Sequence, residues 1–362
     1  MASLLHARTH ARTHADIATL SNINNKPVIK IGVQLPLTGN MADMGITNRK
    51  AFSKSIQDIN SNPENKLYYE LLIEDNRNDM RTANSIVTKF IFADKVNVLV
   101  DHLPAIARVT APLATKNKIP NLHYAHSSDF LDSKYNFKGL PTNDAVADAT
   151  VRLLDSKSIK NVALIIQNAG SGDELLDALS QRLEHRDIPF SVERFNPGEK
   201  DFSILVGKTK NRDAEAVVVF ANTPELEILG REFNRQGVDK LIVFPSSAVY
   251  MNQNINLFEG RYTVDFLQPS ASLRKHLGFN EGDNTYHSAF YYDAGTIITQ
   301  AFEKVYDGTH IPVGDEIADQ LLNQKEYQGC LEVYTLDERG RFLCKVETFI
   351  VKNGEFVPLA GD

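Results

Sequence analysis

The stretch 28–39, VIKIGVQLPLTG, constrains the fold more than any other part of the chain. Residues 28–35 form a short apolar run rich in β-branched side chains, the signature of a buried strand. Pro36 ends the run, and Thr38, Gly39 and Asn40 supply turn chemistry. Phe52, Ile56 and Ile59 then recur at helical spacing and define one apolar face. A buried strand, a polar loop and an amphipathic helix in that order make the first unit of a parallel α/β sheet. Ligands of such sheets lie outside the carboxyl ends of the strands. The loop 36–45 is therefore the first candidate binding surface, with Thr38 and Asn40 as its polar groups.

The pattern continues with strands over 67–74, 96–100 and 119–124, separated by helical faces at Ala83/Ile86/Val87/Phe90 and over 105–116. This βαβαβαβ series implies a parallel sheet covered on both faces. A second series begins with a helix over 144–155 and the continuous apolar strand 162–167, VALIIQ. Strands over 190–195, 216–220 and 241–244 alternate with helices after it. The two series lie too far apart in sequence for a solenoid repeat, so two similar domains are expected. The third part differs: a strand over 262–266, a long helix face from Phe290 to Val305, a helix over 315–324 and a hairpin over 328–350 turning at 337–340. A helix pair after a complete second domain is most easily placed back on the first. The expected division is an atypical tail over 1–26, a first lobe of 27–142 plus 267–325, and a second of 143–266 plus 326–362.

The 362 residues are enough for two domains, and a net charge of −7 argues against a nucleic-acid partner. No run of 18 apolar residues occurs, so no spanning helix is expected. Cys330 and Cys344 flank the 337–340 turn. Opposite places on paired strands would let them bond in an oxidising compartment, and two buried thiols on neighbouring strands are the alternative. Residues 4–15, LLHARTHARTHA, repeat a four-residue unit but lack the apolar core of a secretory signal. His6, His10 and His14 would share one helical face, a metal geometry, or would belong to a disordered tail.

IKIGVQLPLTGNMADMG followed by ELLIEDNRND, the block 198–237 (GEKDFSILVGKTKNRDAEAVVVFANTPELEILGREFNRQG) and the closing 331–346 segment carry a resemblance. Their order and spacing are similar to the branched-chain amino-acid-type solute-binding proteins of ABC importers, the class I periplasmic binding proteins. The resemblance covers about 28–358 of the chain. It implies an α/β fold of two doubly wound, Rossmann-like lobes with a three-segment hinge. It also implies a solute held between the lobes without covalent chemistry, an ABC permease as partner, and an extracytoplasmic or periplasmic location. No cofactor is implied, and a monomer is expected. The hinge motion would be driven by contacts that exist only in the closed state.

The departures from that family matter as much. Its amino-acid binders hold the ligand carboxylate with lobe-one hydroxyls and N–H groups, and the ammonium with a lobe-two acid. Here Ala105 and Ile106 stand where Ser or Thr is expected, in the loop after Asp101, His102 and Leu103. The second loop, Tyr124-Ala125-His126-Ser127, keeps one hydroxyl. Ser171 and Gly172 occupy the place of the usual aromatic after VALIIQN, Ser246 that of the acid, and Met44 that of an aromatic over the ligand. A buried ammonium without a carboxylate partner is costly, which favours another small polar or carboxylate-bearing solute over a zwitterionic α-amino acid. The candidate contact set is Thr38, Met44, Leu103, Ala105, Tyr124, His126, Ser127, Asn168, Ser171, Thr223, Ser246 and Tyr250.

Three other constellations stand out in the sequence. His102, His123 and His126 at neighbouring strand ends could bind zinc or face an anion, or could simply cap loops and fill the lobe. Gly170-Ser171-Gly172 lacks the third glycine of a dinucleotide fingerprint, since Leu175 stands there, so a plain helix-entry turn is expected. Ser246 and Ser247, with Tyr250 close behind, offer hydroxyls or a turn and cap. Neither a Gly-x-Ser-x-Gly elbow nor an HExxH motif occurs. The leading expectation is a non-enzymatic solute receptor for an importer. The alternatives are a sensing module that signals to a partner, and an enzyme on the same scaffold, which would need a nucleophile–base pair.

Overall fold

The computed structural model describes residues 25–246, 249, 254–266, 268–280 and 282–359. The chain forms two compact α/β units. Unit 1 comprises residues up to 125, 129–139 and 269–342; unit 2 comprises 126–128, 140–268 and the chain from 343 onward.

In unit 1, β1 (Val28–Leu35) leads into α1 (Ala42–Asn60), β2 (Tyr68–Asp75) into α2 (Met80–Lys89), and β3 (Val98–His102) into α3 (Pro104–Asn117). β4 (Asn121–Tyr124) and β5 (Asn136–Gly139) complete a five-stranded sheet of order β2-β1-β3-β4-β5. All its pairings are parallel. α2 begins where the Asp79 carboxylate accepts from the Thr82 N–H at 2.8 Å, and it ends in a π-helical turn over Phe90–Asp94. The chain returns to this unit with α8 (Ala271–His276), α9 (Ser288–Val305) and α10 (Gly314–Asn323). α9 lies along α1: the Ser55 hydroxyl donates to the Tyr292 carbonyl at 2.7 Å. The approach is close enough that a Cβ on Gly295 would sit 2.3 Å from Ser55 Oγ. A small sheet of β11 (Glu326–Gln328), β12 (Val333–Leu336) and β13 (Phe342–Leu343) follows.

Unit 2 starts with α4 (Asn143–Ser156), capped by the Thr142 hydroxyl, which accepts from the Ala145 N–H at 3.1 Å. It continues through β6 (Val162–Gln167), α5 (Gly170–His185), β7 (Phe190–Phe195), α6 (Ser203–Asn211), β8 (Ala216–Phe220), α7 (Glu225–Arg235), β9 (Leu241–Phe244) and β10 (Tyr262–Phe266). β14 (Val346–Lys352) and β15 (Glu355–Pro358) extend the sheet, whose order is β15-β14-β10-β9-β8-β6-β7. The alternation along β6 shows why this sheet is covered twice. Ala163 and Ile165 pack with Phe202, Leu226, Leu229 and Phe233 of α6 and α7 and their approaches. Val162, Leu164 and Ile166 pack with Leu153, Leu154, Leu175, Leu179 and Leu183 of α4 and α5. A strand buried on both faces reads as an unbroken apolar run, and VALIIQ does.

The fold class is therefore the expected one, two doubly wound α/β lobes. The boundary of the closing segment is corrected. Residues 326–342 belong to unit 1, not to the second lobe. They are held there by Asp293 of α9, which accepts from the Cys330 N–H at 2.8 Å and the Tyr334 hydroxyl at 2.5 Å. The expected 328–350 hairpin is likewise two structures. The 337–340 turn joins β12 to β13, while β14 pairs antiparallel with β10 in the other unit's sheet. Cys330 and Cys344 are both free thiols and fall in different units, so the disulfide alternative is also corrected.

Candidate functional site

Strand order locates the ligand surface in each unit. In unit 1 the order reverses at β1, so the switch point lies between the carboxyl ends of β1 and β3. In unit 2 it lies between those of β6 and β8. Loops that part in opposite directions leave a crevice at such a point.

At the unit 1 switch point, the polar groups are used by the protein itself. Thr38 is exposed, but its hydroxyl donates to the Asp75 carboxylate at 2.7 Å, and the Leu37 N–H donates to the same carboxylate at 2.9 Å. Burial works to raise the Asp75 carboxyl. The Thr38 hydroxyl and the Leu37, Arg77 and Thr38 N–H groups outweigh it and hold the group below its ordinary value. Met44 is only 3% exposed and packs in the core beneath α1, so it forms no open wall. Leu103 takes a left-handed backbone, φ 79°, to cap α3, with Pro104 in the first turn, and its N–H donates to the Tyr124 carbonyl at 3.0 Å. Ala105 is half-buried beside it. Tyr124 is buried, its ring 4.6 Å from that of Tyr291. A Cβ on Gly139 would strike the Tyr124 ring at 2.3 Å.

Two of the three strand-end histidines are interior groups of unit 1. His102 is buried and shares a 3.0 Å hydrogen bond, Nε2 to Nδ1, with His287. His123 is buried between the Asp101 carboxylate at 2.7 Å and the Asn136 side-chain carbonyl at 2.8 Å. Thr110 donates to the other Asp101 oxygen at 2.5 Å, which completes a buried polar chain across β3, β4 and β5. Among the described residues no three metal-ligating side chains are grouped.

Unit 2 is built differently. A cavity of about 90 Å³ opens at the carboxyl end of its sheet. His126, Ser171 and Ser246 line it, as do Asn143, Asn222 and Asp265, with Phe220, Val264 and Val346 as apolar walls. The Ser246 hydroxyl donates to the Ala221 carbonyl at 3.1 Å and is 5% exposed. The His126 Nδ1–H donates to the Pro141 carbonyl at 3.3 Å. The serine and imidazole that a hydrolase would pair are thus each engaged with a main-chain carbonyl. Asn222 is placed by its own N–H, which donates to Gln167 Oε1 at 2.6 Å. Hydroxyl, amide, imidazole and carboxylate groups beside aliphatic walls suit a few heavy atoms of a small polar solute.

Of the expected contact set, the structure gathers His126, Ser171 and Ser246 in this cavity. Ser127 is buried nearby in the chain, and Asn168 and Thr223 are exposed at the ends of β6 and β8. Asn168 Nδ2 donates to Asn196 at 2.8 Å. Tyr250, Ser247, His6, His10 and His14 lie outside the described residues. Sequence reasoning missed Asn143, Asn222, Phe220 and Asp265. Asp265 was within reach, because it is the penultimate residue of β10, beside β9, and strand ends were already the criterion. A larger opening of about 610 Å³ in unit 1 lies at the far end of α1, by Asp58 and Glu303. There Glu303 is spent on the Lys66 and Leu67 N–H groups, at 2.9 and 3.1 Å.

Two doubly wound units, each with a strand-order reversal and loops at its carboxyl edge, define a class of two-lobed binding proteins. The chain belongs to the periplasmic binding protein family, whose model matches residues 28–352. It is 23% identical over 233 residues to the leucine-, isoleucine-, valine-, threonine- and alanine-binding protein of Pseudomonas aeruginosa, a match that spans 60% of each chain. A branched-chain amino-acid ABC-transporter periplasmic ligand-binding protein of Burkholderia xenovorans has the same fold. It shows a TM-score of 0.81 at 16% identity, covering 92% of this chain and 94% of that one. So does a solute-binding protein of an ABC transporter from Rhodopseudomonas palustris in complex with 3,4-dihydroxybenzoic acid, with a TM-score of 0.75 at 19% identity and coverage of 92% and 96%.

Proposed function

We propose that the chain is a non-enzymatic, extracytoplasmic solute-binding protein that delivers a small organic solute, amino-acid-like or carboxylate-bearing, to an ABC-type importer. The observation that carries this reading is the unit 2 cavity, where three expected contact residues meet amide and apolar walls at the carboxyl ends of the sheet's parallel strands. The family membership supports it. So do the amino-acid ligands named for the Pseudomonas relative and the aromatic acid held by the Rhodopseudomonas protein. The engagement of Ser246 and His126 with main-chain carbonyls favours binding over nucleophilic chemistry.

A thermal-shift screen over amino acids, aliphatic acids and hydroxybenzoates tests the proposal. A ligand that binds only the folded chain stabilises it by about 2.7 kcal/mol at about 100 times its Kd. At least one of these compounds is expected to raise the midpoint and to be recovered unchanged. No shift with any of them, or consumption of the bound compound, would overturn the reading.

A further inference from the structure

Asn353 and Gly354 carry a chemistry that solute binding does not use. They form the two-residue turn between β14 and β15, where Lys352 pairs with Glu355. Both take a left-handed backbone, φ 52° and 73°, the arrangement of the tight hairpin turn that asparagine followed by glycine favours. The turn stands at the edge of the unit 2 sheet, with Asn353 exposed and Gly354 half-buried. Such a pair can react with itself. With no side chain on the glycine, its main-chain nitrogen is able to approach the asparagine side-chain carbonyl closely.

In this chain that nitrogen is engaged. The Glu259 carboxylate accepts from the Asn353 N–H at 2.7 Å through one oxygen and from the Gly354 N–H at 3.3 Å through the other. Main-chain bonds before and after Glu259 bring it to the turn. Its own N–H donates to the Asn256 carbonyl at 3.3 Å, closing the short helical turn Ile255–Phe258. The Gly260 N–H donates to the Val351 carbonyl at 2.8 Å, and the Val351 N–H donates to the Arg261 carbonyl at 2.9 Å.

We propose that Asn353 is a self-modifying residue held in check by Glu259, whose carboxylate grips the Gly354 nitrogen that would attack it. The reaction is a deamidation. Hydroxide takes the Gly354 N–H proton and the nitrogen forms a bond to Asn353 Cγ. The Cγ–Nδ2 bond breaks, and ammonia leaves with a proton returned by water. The cyclic imide that remains is opened by a second water. Breaking its bond to Cγ gives aspartate, and breaking the original main-chain bond gives isoaspartate.

Two features of the geometry slow this reaction. The grip must be released before the nitrogen can turn to Cγ, and a hydrogen bond to a charged acceptor is stronger than a neutral one. The carboxylate, at hydrogen-bond distance from the nitrogen, also repels the hydroxide that must reach its proton and the oxyanion that attack creates at Cγ. Once formed, either product sets a new carboxylate beside Glu259. Isoaspartate also lengthens the main chain within a two-residue turn, so the Lys352–Glu355 register is lost and β15 loosens from β14.

The whole protein is incubated at mildly alkaline pH, folded and in urea, and the peptide holding residue 353 is followed by mass spectrometry for conversion of amide to acid. The folded natural chain is expected to convert about tenfold more slowly than folded Glu259→Ala, which loses both bonds, and more slowly than the natural chain in urea. Equal rates in the natural and Glu259→Ala chains would overturn the proposal. So would a folded natural chain that converts as fast as the same chain in urea. Should Glu259→Ala not fold, Glu259→Gln keeps the shape and removes the charge. It is expected to convert faster than the natural chain, and an unchanged rate in it counts equally against the proposal.

Discussion

The two units share a topology and use it in opposite ways. In both, a buried β-branched strand begins a run of parallel strands whose order reverses, and polar residues collect at the carboxyl ends. In unit 1 those residues bind one another: Thr38 to Asp75, His102 to His287, and His123 to Asp101 and Asn136. In unit 2 they line a cavity, where the Ser246 hydroxyl and the His126 Nδ1–H each donate to a main-chain carbonyl. Equivalent places in one fold can thus close on one another or line a cavity, and position at a strand end does not decide which.

The contrast is most easily broken in unit 1. Asp101→Ala removes the partner of both Thr110 and His123 in a region where Asp101 is 1% and His123 0% exposed. Leaving a buried polar group without its partner costs about 1–3 kcal/mol, and this variant strips an acceptor from two of them. The two free thiols report on the units separately, Cys330 on unit 1 and Cys344 on unit 2. Thiol labelling against urea should show the Cys330 midpoint falling steeply in Asp101→Ala and the Cys344 midpoint nearly fixed. Equal shifts of both would mean that this polar chain is not the private framework of unit 1.

A smaller effect is expected at the entry to α5 in unit 2. A Cβ on Gly172 would stand 2.4 Å from the Gln167 carbonyl oxygen, and the Gln167 side chain in turn places Asn222. Gly172→Ala must push the turn apart, at about 1–3 kcal/mol for an overpacked site. Because Ser171 and Asn222 flank this turn at the cavity, the variant should also lose most of the solute-induced thermal shift. A lowered Cys344 midpoint with a full solute response would separate the turn from the site and weaken the contrast drawn above.

How far the chain could be read without coordinates follows from the same physics. β6 and β8 were legible because a strand buried on both faces reads as a near-continuous apolar run, and β1 because apolar residues dominate it despite Lys30 and Gln34. β5, with the sequence NFKG, was not: its Asn136 and Lys138 are buried yet polar, which partners on β4, on α3 and in the chain around them make possible, His123 and Thr115 for Asn136 and the Gly139 carbonyl for the Lys138 ammonium. β15 was missed because it is a short, partly exposed strand at the edge of its sheet, beside β14. The hairpin over 328–350 was misjudged because alternation reveals a strand but not its sheet. Asp293, distant in sequence, decides that residues 326–342 stay with unit 1. The strand-end criterion pointed to His126, Ser171 and Ser246, which line the unit 2 cavity, whereas Met44 lies buried on α1, because a helix face does not say which of its apolar residues turns inward.

The smallest expected effect sharpens the comparison most, because Thr38 is the one expected contact in unit 1 that is both exposed and already bonded. Thr38→Val keeps the shape and removes the hydroxyl from Asp75. An exposed hydrogen bond of this kind contributes at most about 0.5–1.5 kcal/mol, so the Cys330 urea midpoint should barely move. The Asp75 carboxyl, now lacking one of the donors that lower it, should titrate at higher pH than in the natural chain. The sign is that of a depressed carboxyl: its contribution to stability is present above the ordinary value and is lost as pH falls below it. If Thr38 only anchors its loop, the Asp75 titration shifts and the solute-induced thermal shift stays whole. If the solute response collapses while Asp75 titrates as before, the Thr38 hydroxyl belongs to the solute, and unit 1 keeps an open polar group after all.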